Sequence, residues 1–125
     1  MKSKIYIRFL FIAGILLTGL YSCTYETIES KEPEVPENVS FGIDVIPIFN
    51  SSCNASGCHS KGGIPPDLSE QNAYTSLIFF GYVDTDIPDQ SKLYLKITTG
   101  TMKEFATDQD RAIILRWIEQ GALDN

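Results

Sequence analysis

The last part of the chain has the clearest periodic pattern of apolar and polar positions. Four apolar residues fall on one face at the spacing of an amphipathic helix: Ile113, Ile114, Trp117 and Ile118. Thr107 precedes them as a candidate N-cap, and Asp110 follows three residues later, close to a capping box with Asp in place of Glu. Gly121 comes after the apolar run and is typical of a helix end. The pattern predicts a helix between Thr107 and Gly121, with Trp117 in the core.

Three shorter segments also bear on the fold. IDVIPIF follows Ser40, a candidate N-cap, and Pro47 limits this helix to a turn or two or kinks it. NAYTSLIFF is too short for its periodicity to decide between helix and strand. KLYLKI follows Ser91 and predicts a short helix, whereas KGGIPPD and TTGT are loops by composition. No segment alternates cleanly enough to require a sheet, so we expect a mostly α fold.

The N-terminus has the organisation of an export signal. The basic stretch MKSKIYIR precedes the run FLFIAGILLTGLY, which is shorter than the roughly 20 apolar residues of a spanning helix. Leu20-Tyr21-Ser22-Cys23 resembles the lipobox of bacterial lipoproteins, in which the cysteine becomes the lipidated first residue of the mature chain. The resemblance predicts a signal peptide over residues 1–22 and a lipid on Cys23 that anchors the exported protein to the cell envelope, on the periplasmic side or at the outer membrane. An ordinary secretory signal beside an unmodified cysteine is the alternative.

Composition divides the rest of the chain into a tether and one domain. Residues 24–39 contain five glutamates, two prolines and few apolar residues, so residues 23–39 are expected to be a lipidated cysteine followed by an acidic tether. Residues 40–125 then form one small domain. Three of the 10 lysines and arginines lie in the signal, which leaves seven basic and 16 acidic residues, a formal charge of −9. This charge argues against nucleic acid as a partner and makes the lipid the expected means of membrane attachment.

The stretch SSCNASGCHS places Cys53, Cys58 and the chain's single histidine, His59, close together. A Cys53–Cys58 disulfide is compatible with export but leaves His59 unused. A zinc site needs four ligands, and these residues supply three, two of them adjacent. Covalent haem uses all three side chains, because both sulfurs bond the porphyrin and the histidine after the second cysteine coordinates the iron. The spacing Cys-x4-Cys-His is two residues longer than the usual motif, and the small residues between the cysteines suit an outward bulge.

Four segments in this order resemble the cytochrome c domain of many exported bacterial proteins: DVIPIFNSSCNASGCHS, PPDLSEQNAY, SKLYLKITTGTM and AIILRWIEQGALDN. The resemblance covers about residues 43–125. It implies a small cytochrome c-like helical domain wrapped around one covalently attached haem c. It assigns Cys53 and Cys58 to the covalent bonds and His59 to the proximal coordination of the iron.

The same resemblance suggests residues for the two sides of the iron. It places the distal ligand at Met102, the one methionine beyond the first residue, although the family's usual Met-Pro is Met-Lys here. A methionine sulfur opposite histidine raises the reduction potential. On the proximal side it implies that the His59 ring donates to the carbonyl of Pro65 or Pro66.

Three classes of function follow from these alternatives. A membrane-tethered monohaem cytochrome transfers electrons without substrate chemistry, and its acidic surface predicts a redox partner with a basic docking face. A peroxidase-like enzyme needs an open iron position and acid–base residues, and the chain has no second histidine. A haem-free exported lipoprotein with a Cys53–Cys58 disulfide, serving as an assembly or binding module, is the main alternative. We therefore expect an electron carrier that is not an enzyme.

Overall fold

The structure, a computed structural model, describes residues 32–125 and shows no strand in that range. Four α-helices form it: α1 (Ile46–Ser52), α2 (Ala73–Phe79), α3 (Lys92–Thr98) and α4 (Asp108–Glu119). The mostly α prediction is confirmed. The predicted signal peptide, the Cys23 lipid site and the first part of the tether lie outside the described residues. No helix within the described residues is long and apolar enough to cross a membrane.

A wide helical turn, Phe41–Val45, leads directly into α1. Ser40 caps it as expected: its hydroxyl accepts a hydrogen bond from the Ile43 N–H, and its own N–H donates to the Asp44 carboxylate at 2.7 Å. Pro47 lies in the first turn of α1, where a missing N–H costs little. α1 has seven residues, about two turns, which agrees with the expected short helix.

α4 has the capping box that the sequence predicts. Thr107 accepts a hydrogen bond from the Asp110 N–H at 3.1 Å, and the Asp110 carboxylate accepts one from the Thr107 N–H at 2.8 Å. Trp117 is 1% exposed, and its indole N–H donates to the carbonyl of Leu123 at 2.9 Å. Gly121, at φ +93°, ends the helix in the left-handed region. The expected helix and the core position of Trp117 are both confirmed.

Phe41 joins three helices at the centre of the core. Its ring centroid lies 5.0 Å from that of Trp117 on α4, 5.4 Å from Tyr74 on α2 and 6.4 Å from Phe49 on α1. The Phe41 N–H donates to the side-chain carbonyl of Asn125 at 2.9 Å, which ties the end of the described chain to the start of the wide turn. These contacts hold α1 and α4 together, and α1 leads into the cysteine-containing stretch.

The segment from Glu34 to Val39, called here the docked segment, packs along α4. The amide of Gln109 exchanges hydrogen bonds with the N–H and the carbonyl of Glu34. The amide of Gln120 accepts from the Val39 N–H at 2.9 Å and donates to the Glu37 carbonyl at 2.6 Å. Val39 is 3% exposed. Two glutamine side chains thus satisfy backbone groups that a free tether would leave to water.

The compact unit consequently spans Glu32–Asn125 and includes the end of the segment predicted as tether. The composition of residues 24–39 favours a tether because glutamates outnumber apolar side chains. Val35 and Val39 are apolar residues near the end of this segment, and both pack with the core of the domain. The folded domain therefore begins before residue 40.

Candidate functional site

One cavity, of about 460 Å³, is lined by all four residues that the sequence predicts as haem attachment points or iron ligands. It is bounded by α1, the loop after α1, α3, the loop after α3, and α4. Cys53, Cys58, His59 and Met102 all line it, and most of the other lining side chains are apolar. A second cavity of about 360 Å³, between the docked segment and α4, contains none of the four.

The chain between the two cysteines forms a compact bulge. The Cys53 N–H still donates to the Phe49 carbonyl at 2.9 Å, so this residue closes α1. A turn follows in which the Cys58 N–H donates to the Ala55 carbonyl, and Gly57 occupies its third position at φ +84°. Such a positive φ favours glycine. The His59 N–H then donates to the Cys53 carbonyl at 3.1 Å, which closes the loop. Small residues therefore form a closed turn between the two cysteines.

The ring of His59 is held by two backbone carbonyls. Its Nδ1 lies 2.9 Å from the carbonyl oxygen of Ile64 and 3.1 Å from that of Pro66. Because both neighbours are acceptors, Nδ1 is the donor, so the neutral ring has its unshared electron pair on Nε2, where it can bind a metal. Pro66 is one of the two residues that the family resemblance suggests for this contact, whereas Ile64 was not predicted.

The loop that supplies these carbonyls is built on Cys58 and His59. The Ile64 N–H donates to the Cys58 carbonyl and the Leu68 N–H to the His59 carbonyl, both at 2.7 Å. Gly63 sits inside this loop, where a Cβ would lie only 2.2 Å from the Cys58 oxygen. The sequence identifies KGGIPPD as a loop but does not indicate which glycine is sterically required.

Asp67 connects the loop that holds the His59 ring to the start of α2. Its carboxylate accepts hydrogen bonds from the Ser69 hydroxyl at 2.6 Å, from the Ser69 N–H at 2.9 Å and from the Asn72 amide at 2.9 Å. The Ser69 hydroxyl and N–H hold the pKa of Asp67 below its usual value. The ionised carboxylate thus fixes the turn that places Leu68, which is buried, on the cavity wall.

The two cysteines differ in their surroundings, and neither forms a disulfide. Cys58 is exposed, whereas Cys53 is half-buried. Burial raises the pKa of the Cys53 thiol to about 11, with smaller contributions from the negative charges of Asp110 and Cys58. The thiol is therefore protonated at neutral pH, which disfavours disulfide exchange and metal ligation, since both need the thiolate. Within residues 32–125, no three His, Cys, Asp or Glu side chains are grouped as ligands for one ion.

Met102 reaches the same cavity from the loop after α3. Its N–H donates to the Lys96 carbonyl at 3.0 Å, and its half-buried side chain packs against the core. Gly100 lies in the tight turn before Met102. This position requires glycine, because a Cβ there would lie 2.8 Å from the Lys96 Cα. Lys103, the next residue, does not line the cavity.

Sequence reasoning missed several lining residues because they come from separate elements. Tyr82 lies between α2 and α3, Lys96 is on α3, and Phe105 precedes α4. No shared local pattern marks them, and only the fold brings them to the cysteines. Comparison of the chain with protein-family models, with curated proteins and with solved structures finds no match.

Proposed function

We propose that this protein is a monohaem c-type cytochrome that transfers electrons, with haem joined to Cys53 and Cys58 and its iron bound by His59 and Met102. One observation carries the proposal: these four side chains, drawn from two distant parts of the chain, line a single apolar cavity. The family resemblance of residues 43–125 supports the same assignment independently of that geometry.

The cavity has the size and the mainly apolar lining of a cofactor site. Its volume of about 460 Å³ lies within the range of roughly 300–1,000 Å³ that small-molecule and cofactor sites occupy. Buried apolar side chains, among them Phe49, Leu68 and Ile97, form its walls. Apolar walls lower the dielectric around a bound ring, which is one of the factors that tune a haem potential.

The hydrogen bonds of His59 suit an iron ligand. Nδ1 donates to the Ile64 and Pro66 carbonyls, so the ring is held in one orientation and Nε2 is free to coordinate. The thioether of Met102 is a neutral donor that needs no deprotonation and favours the reduced iron. When bound, haem would supply one-electron chemistry, while the protein positions it and sets its potential.

Electron transfer fits these residues better than enzymatic catalysis. With both His59 and Met102 as ligands, the iron would have no open position for a substrate, and the chain has no second histidine to act as an acid or base. The proposal includes export, a lipid on Cys23 that anchors the protein to the cell envelope, and a redox partner with a basic face opposite the acidic domain.

Expression together with haem-attachment machinery tests this function. The purified protein should be red, and acid–acetone extraction should leave the colour with the protein because the haem is covalently bound. The Cys53→Ser/Cys58→Ser double variant is the matched control and should release any haem it holds. A colourless wild-type protein with a Cys53–Cys58 disulfide would instead support the haem-free binding module.

A further inference from the structure

The cavity wall carries one cationic side chain, Lys96, and no acidic one. Lys96 is exposed overall, so its ammonium group can remain hydrated while part of the residue lines the cavity. Within the described residues, the recorded ion pairs are Arg111–Asp108 and Arg116–Glu119, and neither involves Lys96. A single lysine on mainly apolar walls indicates a ligand with an apolar body and an anionic edge.

We propose that Lys96 is the counter-charge for a propionate carboxylate of the haem, an inference that rests on the proposed function. Haem has this form, since its ring is apolar and two carboxylates project from one edge. An ammonium group stabilises an ionised carboxylate and lowers its pKa. Thr101 and Tyr82 also line the cavity, and their hydroxyls are neutral hydrogen-bond donors.

The other ionisable groups on the cavity wall do not compete for this role. Cys53, Cys58 and His59 are assigned to the covalent bonds and the iron. Tyr82 offers a hydroxyl that can donate a hydrogen bond but carries no positive charge. Lys96 is thus the one group on the wall able to balance the charge of a carboxylate at neutral pH.

Lys96→Gln, compared with Lys92→Gln, tests this assignment in haem-loaded protein. Lys92 is on the same helix one turn earlier, is exposed, and does not line the cavity. The readout is the midpoint potential measured as a function of pH. Lys96→Gln should lower the potential near neutral pH, because an unbalanced carboxylate favours oxidised iron, and should move the propionate ionisation step to higher pH. Lys96→Arg should restore both properties.

The outcomes separate this assignment from the function it rests on. Lys96→Gln protein that is loaded with haem and matches Lys92→Gln in potential and in ionisation step would overturn the Lys96 assignment alone. A Lys96→Arg variant that behaves like Lys96→Gln would also overturn it, because the charge would then be irrelevant. Wild-type protein without covalent haem would overturn the proposed function, and this assignment with it.

Discussion

In protein loaded with the proposed haem, Gly63→Ala should displace His59, the proposed iron ligand, although Gly63 itself does not line the cavity. The added Cβ would lie 2.2 Å from the Cys58 oxygen and 3.0 Å from the Ser60 oxygen. Reaching an ordinary contact near 3.5 Å requires a backbone displacement of roughly 1 Å. The displaced Cys58 carbonyl accepts from the Ile64 N–H, and the Ile64 carbonyl lies 2.9 Å from His59 Nδ1. The expected cost, typical of overpacking, is about 1–3 kcal/mol.

Gly62→Ala is the matched control for this prediction. Gly62 has φ +78° and open space around it, so alanine there adds backbone strain of roughly 1–2 kcal/mol without a clash. Guanidinium unfolding should therefore show a loss of stability in both variants. Only Gly63→Ala should also alter the visible spectrum of the haem, toward partly high-spin iron as His59 is displaced. A Gly63→Ala protein with both the wild-type spectrum and the wild-type stability would refute the steric reasoning.

Three further predictions concern the rest of the site and the docked segment. Met102→Ala should remove the weak far-red sulfur-to-iron band, lower the midpoint potential and admit carbon monoxide; unchanged carbon monoxide binding would argue against Met102 as a ligand. Gln120→Ala should leave the Val39 N–H and Glu37 carbonyl without their partner, lower the unfolding free energy by about 1–2 kcal/mol and expose the docked segment to protease; wild-type protection would contradict this. In haem-free protein, alkylation of Cys53 should be slow at neutral pH and accelerate toward its pKa of about 11; rapid neutral alkylation would show that the thiol is not buried.

Features with a local cause could be predicted from the sequence. The capping box of Thr107 and Asp110, the buried position of Trp117 and the end of α4 at Gly121 depend on residues within one helix. The bulge between the cysteines follows in the same way, because Gly57 can adopt the positive φ that its turn requires. Each of these features is decided by neighbouring residues, so the pattern along the chain is sufficient.

Features that depend on distant residues could not be predicted in this way. Gln109 and Gln120 bind backbone groups 75 to 83 positions earlier in the chain, so the composition of that segment alone favours a tether. Lys96 likewise has no sequence feature that links it to the cysteines. The steric requirement at Gly63 arises from the fold of one loop back onto Cys58, which the neighbouring glycine does not share.

Intact-mass measurement of denatured, purified protein after expression with haem-attachment machinery tests the central claim most directly. We expect a mass increase of one haem, retained on the peptide that contains Cys53, Cys58 and His59. The Cys53→Ser/Cys58→Ser variant should have no such increase. A wild-type chain at its unmodified mass, or at the mass of a chain whose two cysteines form a disulfide, would contradict the assignment.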